Sequence, residues 1–121
     1  MIHWETMFPG RYLKAAHIGD KEVELTIRAV VREVVPCRSD SGKFKDENKY
    51  VIYFEEIAAK AAREGVEEKR LIPNKTNAKI IASIHGDDIE GWVGKKITLI
   101  APIVFAFGRK DPAIRVKEQR R

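Results

Sequence analysis

The chain has 121 residues, 44% of them apolar, which suits one domain with a core of its own and argues against intrinsic disorder. Lysine and arginine number 23 against 18 acidic residues, a net charge of +5 that permits a polyanionic partner without demanding one. No apolar run nears the roughly 20 residues of a membrane span, and "MIHWETMFPGRYLKAAHIGD" lacks the basic and apolar blocks of a secretory signal, so a cytoplasmic protein without a membrane partner is expected.

The first 20 residues are expected to form a covering segment, laying Phe8, Tyr12 and Leu13 over an edge or an end of the fold. "KEVELTIRAVVREVV", Lys21 to Val35, alternates at first: Val23, Leu25 and Ile27 share one face, and Glu24, Thr26 and Arg28 the other. That is the period of a half-buried strand. The alternation slips at "AVVREVV", as in a long strand that bends or bulges, and Pro36 is expected to end it. A polar loop, Cys37 to Asn48, follows. Cys37 is the single cysteine, so no internal disulfide can form, and its polar setting argues against a catalytic thiol.

"KYVIYFE" is β-branched and aromatic and predicts a second strand. The alanine-rich stretch 55–68 predicts a helical insertion with Gly65 as a stop. "KRLIP" predicts a short third strand closed by Pro73. Asn74, Thr76 and Asn77 are all N-cap types, and Ile80, Ile81 and Ile84 form an apolar stripe behind them, so "NKTN" opens a helix running to His85. Gly86 suits a left-handed C-cap. The sequon Asn74-Lys75-Thr76 carries no meaning without secretion. A fourth strand runs from about Lys96, kinked at Pro102. A hairpin turning near Gly108 to Pro112 leads to a fifth, with Ile114 and Val116 alternating against Arg115 and Lys117. Residues 118–121 complete a basic tail, a source of charge that needs no surface patch.

Strand, strand, strand, helix, strand, strand is the order of a mainly β, five-stranded OB-fold-like Greek-key barrel with a helix between strands three and four. An SH3-like barrel, or an open antiparallel sheet with one helix packed on it, are the alternatives. "MFPGRYLKAAHIGDKEVELTI", "YVIYF", "NKTNAKIIASIHGDD", "WVGKKITL" and "AIRV" together resemble a family of small proteins carried by bacteriophages and prophages. "NKTNA" followed by "GDD" and "W-GK" is the most specific part. The resemblance implies an OB-like β-barrel of unsettled function that binds single strands. It omits 36–49, the tail and the insertion, which is longer than the family's usual connection.

Catalytic groupings are sparse. His3, His17 and His85 lack metal-ligand spacing, and Asp87 and Asp88 after a helix read as a solvated turn, so no metal or cofactor is expected. The glycines are isolated and form no phosphate loop, and no nucleophile–base pair stands out, so the chain is not expected to be an enzyme. A binding module is expected instead. OB barrels hold single-stranded DNA or RNA with a basic groove and aromatic platforms. Arg28 and Arg32 on the first strand, Lys49 and Tyr53 on one face of the second, Arg109 and Lys110 in the last hairpin, and Arg115 and Lys117 on the last strand are the candidates. The barrel is expected to gather most of them on one side. Each also has a plain structural reading. Alternating charges mark any wet strand. Phe105 and Phe107 are favoured as core residues, Tyr53 fits the core too, and Trp4 and Trp92 suit the barrel ends. The alternative function is a protein–protein assembly module, homo-oligomeric through an edge strand or the insertion helix.

Overall fold

The computed structural model describes residues 12–38, 43–106 and 108–118. Strand β1 (Val23–Arg38) pairs antiparallel with β2 (Phe44–Phe54) along nearly its whole length. The register shifts between Ile27 and Ala29, so Arg28 sits in the bulge that the broken alternation anticipates. On its other edge β1 pairs with β3 (Lys96–Ile100) from Val23 to Thr26 only. Strand β6 (Arg115–Val116) follows β3, giving an antiparallel four-stranded sheet ordered β2-β1-β3-β6. Strands β4 (Ile103–Ala106) and β5 (Arg109–Pro112) form a separate two-stranded hairpin. The fold is mainly β, and the described strands do not close a barrel.

The third predicted strand is the reason. "KRLIP" contributes two isolated bridges: Arg70 to Tyr12 in parallel, and Leu71 to Ile52 antiparallel. Leu71 and Ile52 exchange both main-chain bonds, at 2.8 and 3.0 Å. Two residues further on, Pro73 has no N–H to extend the ladder.

Pro36 does not end β1, contrary to expectation; the strand runs on to Arg38. Ile52 spends its main-chain groups on Leu71, so Val30 and Ile52 form a non-hydrogen-bonded pair across β1 and β2. Register alternation makes Pro36 and Asp46 another such pair. Proline's missing donor therefore points away from β2 and costs no ladder bond. The predicted polar loop shrinks accordingly, since β2 starts at Phe44 rather than near Lys49, and Cys37 lies in β1. A two-stranded ribbon needs no continuous apolar face, so its strands look like loop in composition.

Helix α1 (Ala15–Ile18) and Leu13 bring the covering segment onto the core, with Ile18 buried; its first 11 residues, with His3, Trp4 and Phe8, lie outside the described residues. Helix α2 (Glu55–Glu64) fills the expected insertion and ends at Gly65 with φ 66° and ψ 29°, the left-handed cap. Helix α3 (Lys75–His85) has Asn74 as its N-cap, whose Oδ1 accepts the Asn77 N–H at 2.8 Å. Its C-cap Gly86 has φ 95° and ψ 169°, a glycine conformation but not the left-handed helical one expected. Ile81 is fully buried, while Ile80 and Ile84 pack at the core's margin. Trp92 ends a 3-10 turn (Ile89–Trp92) and is core, its indole N–H donating to the Gly86 carbonyl at 2.7 Å. Gly94, at φ 85°, donates to the Ile27 carbonyl at 2.8 Å and so ties the "WVGK" turn to the bulge in β1.

The main core joins Leu25, Ile27, Ile52, Phe54, Leu71, Ile81, Trp92, Ile97, Leu99 and Val116. No helix among the described residues is long and apolar enough to cross a membrane.

Candidate nucleic-acid interface

Arg28 and Tyr53 are brought together, but with company that the strand pattern does not announce. The Arg28 guanidinium carbon lies 5.2 Å from the Tyr53 ring centroid and that of Arg70 lies 4.9 Å from it. Both distances are in cation–π range. Arg28 Nη2 meets Glu68 Oε1 at 2.7 Å. Arg70 reaches Glu33 Oε2 at 3.4 Å and Glu67 Oε1 at 3.7 Å. The Tyr53 hydroxyl donates to Glu33 Oε1 and accepts from Arg70 Nη1 at 2.9 Å. Three carboxylates thus offset two guanidinium groups. Burial pushes the Tyr53 phenol above its ordinary value of 10.0, and the Glu33 hydrogen bond adds to that while Arg70 opposes it. A base stacking on Tyr53 competes with both guanidinium groups for the ring.

The other predicted residues are dispersed. Arg32 stands directly opposite Tyr50 across β1 and β2. It is exposed and makes no ion pair among the described residues. Lys49 shares a strand face with Tyr53 by register and lies 3.8 Å from Glu47. Arg109 Nε is 3.5 Å from Asp111, and Lys110 is paired across the hairpin with Phe105. These two cations stand on β5 rather than in a loop, because the hairpin turns earlier than expected, between Ala106 and Arg109. Arg115 is half-buried and donates to the Ile114 carbonyl at 3.1 Å, and Lys117 pairs with Glu22 at 2.7 Å. The eight residues therefore do not form one bare cationic face. Four of them hold a carboxylate of their own.

Phe105 and Tyr50, unlike the half-buried Tyr53, are exposed. Phe105 is 71% exposed and its neighbour Ile103 65%, so Phe105 is not core as expected; Phe107 lies outside the described residues. An apolar run such as "PIVFAF" carries no mark of a hairpin standing away from the sheet. Tyr50 is 48% exposed and borders a groove of about 500 Å3. Val30, Pro73, Asn74, Lys75, Ala78, Ile89 and Trp92 also line it, and Lys49 borders it.

Asn77 is the buried polar side chain that the hydropathy pattern does not reveal, at 2% exposure. Its Nδ2 donates to the Ile114 carbonyl and its Oδ1 accepts the Val116 N–H, both at 3.0 Å. It serves the edge of β6 as a neighbouring strand would. Glu56 plays a comparable part for β1, accepting the Thr26 N–H at 2.7 Å and its hydroxyl at 2.8 Å. Burial works to raise the Glu56 carboxyl, but the two Thr26 bonds, joined by its own backbone N–H and the charge of Lys96, together hold the pKa below its ordinary 4.5. No cluster of three or more His, Cys, Asp or Glu suited to a metal ion occurs among the described residues. His85 Nε2 donates to the Lys96 carbonyl at 2.7 Å.

Compared with protein-family models, curated proteins and solved structures, the chain matches none of them.

Proposed function

We propose that the chain binds single-stranded DNA or RNA without sequence preference and without catalysis, as an OB-like barrel left open at one seam, like the phage-borne family it resembles. Including the Leu71 bridge, the pairing order is Leu71-β2-β1-β3-β6 with α3 inserted after Leu71, the strand order of an OB fold. The Asn77 amide takes up the free edge of β6 at the seam.

One observation carries the functional reading: exposed Phe105 directly opposite Lys110, with Arg109 beside it, on a hairpin that leads into the last strand. Single-strand binders combine a ring for stacking with cations for the backbone, and each stacked base is worth about 1–3 kcal/mol. Lys110 has no carboxylate partner among the described residues. Fluorescence polarisation with dT and rU oligomers tests the reading. Phe105→Ala is expected to weaken binding and leave its salt dependence intact, because stacking releases no counterions. Arg109→Ala with Lys110→Ala is expected to reduce both affinity and salt slope. Unchanged binding in both variants would remove the hairpin from the site.

The same exposed Ile103 and Phe105 support a second reading, an assembly module that buries them against another copy. A chain that binds no oligomer but self-associates, and becomes monomeric on Phe105→Ala, would favour that reading.

A further inference from the structure

We propose that the groove between β2 and the start of α3 seats one unpaired nucleobase of a single strand, with Arg32 and Lys75 meeting the flanking phosphates. This rests on the single-strand-binding reading and adds a place of contact apart from the β4–β5 hairpin.

The groove, about 500 Å3, falls within the roughly 300–1,000 Å3 of small-molecule sites. Its lining is mainly apolar: Val30, Pro73, Ile89 and Trp92. Trp92 has already committed its indole N–H to the Gly86 carbonyl, so it offers the groove no unmet donor. Tyr50 stands at the border, half exposed, and unlike Tyr53 has no guanidinium over its ring among the described residues.

Charge selects the occupant. Arg32 is directly opposite Tyr50 in the register, so both project from the same face of the ribbon. Lys75 lines the groove at the first turn of α3. Neither makes an ion pair among the described residues. Among the described residues no acid lines the groove; Asp88, next to Ile89, accepts the Glu90 N–H at 3.0 Å, and Glu47 lies 3.8 Å from Lys49. An aromatic wall, an apolar floor and two unpaired cations fit a flat ring between two phosphates. A peptide side chain without neighbouring acids would leave both cations unused.

The experiment uses the whole chain with Trp4→Phe, which leaves Trp92 as the sole tryptophan of the two. A dT oligomer is titrated while Trp92 emission and the polarisation of the labelled oligomer are followed together. The emission is expected to change along the same isotherm as the polarisation. Tyr50→Ala is expected to weaken binding about 5- to 150-fold, and Tyr50→Phe, which keeps the ring, to bind like the parent. Arg32→Gln with Lys75→Gln is expected to flatten the slope of log affinity against log salt by about 1.4. Thermal melts of each variant separate lost contact from lost fold. Oligomer binding with a silent Trp92 and an unaffected, folded Tyr50→Ala variant would overturn the groove and leave single-strand binding standing. Absence of all oligomer binding would overturn both. Equal affinity for dTMP and the oligomer would also overturn the proposal, because a strand must gain from phosphates on both sides of the base.

Discussion

Replacing Asn77 by alanine probes the least expected contact in the fold. The side chain is buried at 2% exposure and spans from α3 to β6 with two bonds of 3.0 Å. Alanine leaves the Val116 N–H without a partner and takes one of two donors from the Ile114 carbonyl, which keeps Arg115 Nη1 at 3.1 Å. Each buried orphan costs about 1–3 kcal/mol. Ile114 is half-buried, so water can reach its carbonyl and its loss falls at the low end; Val116 is 2% exposed, so its amide has no such relief. The expected total is about 2–4 kcal/mol, a large share of the roughly 5–15 kcal/mol that holds a domain folded. Urea titration followed by circular dichroism measures it, with a fall in Tm of about 4 °C per kcal/mol expected alongside. Asn77→Asp keeps the acceptor for Val116 but turns a carboxylate oxygen toward the Ile114 carbonyl, so at neutral pH it is expected to fall at least as far. A loss below about 0.5 kcal/mol, the size of an ordinary surface change, would refute the clamp.

Asn74→Ala removes the α3 cap and is expected to cost about 0.5–2 kcal/mol by the same titration. Glu56 has a depressed pKa in the fold, so its contribution is present above the unfolded value near 4.5 and is lost as pH falls through the lower folded value. Melts between pH 6 and 2, a range of about four units around the carboxylate pKa, should show Glu56→Gln losing less stability on acidification than the parent. The Tyr53 phenol has a raised pKa, so its contribution is present below the unfolded value near 10.0 and is lost as pH rises through the folded value. Ultraviolet titration should place its ionisation later than that of an exposed tyrosine, and Glu33→Gln should bring it earlier.

Some of this was legible in residue order. Period-two alternation marked the inner half of β1, and its slip marked the bulge at Arg28. The cap residues and isoleucines marked α3, and Gly65 marked the end of α2. The outer ribbon was not legible, because its strands are polar and contain Pro36, a residue harmless only at a non-hydrogen-bonded position. The open seam was not legible either: "KRLIP" has the composition of a strand, but a strand forms only if a neighbour and a free N–H are both available. At the candidate site, pattern placed Arg28 and Tyr53 on strands but gave no hint of Glu67 and Glu68, which arrive from beyond α2, some 40 residues from Arg28. Asn77 looked like one more capping residue in "NKTN", because burial of its amide depends on β6, which lies 39 residues further along the chain.

Salt dependence of oligomer binding by the intact chain, compared with a chain ending at Lys117, tests the central claim most directly. If about four cations meet phosphates, log affinity should fall against log salt with a slope of roughly −3, taking about −0.7 per contact on a single strand. The shortened chain is expected to keep most of that affinity and slope, because the contacts lie on the ribbon, the start of α3 and the β4–β5 hairpin. No binding at low salt, or binding lost entirely with residues 118–121, would contradict a single-strand-binding surface on the fold.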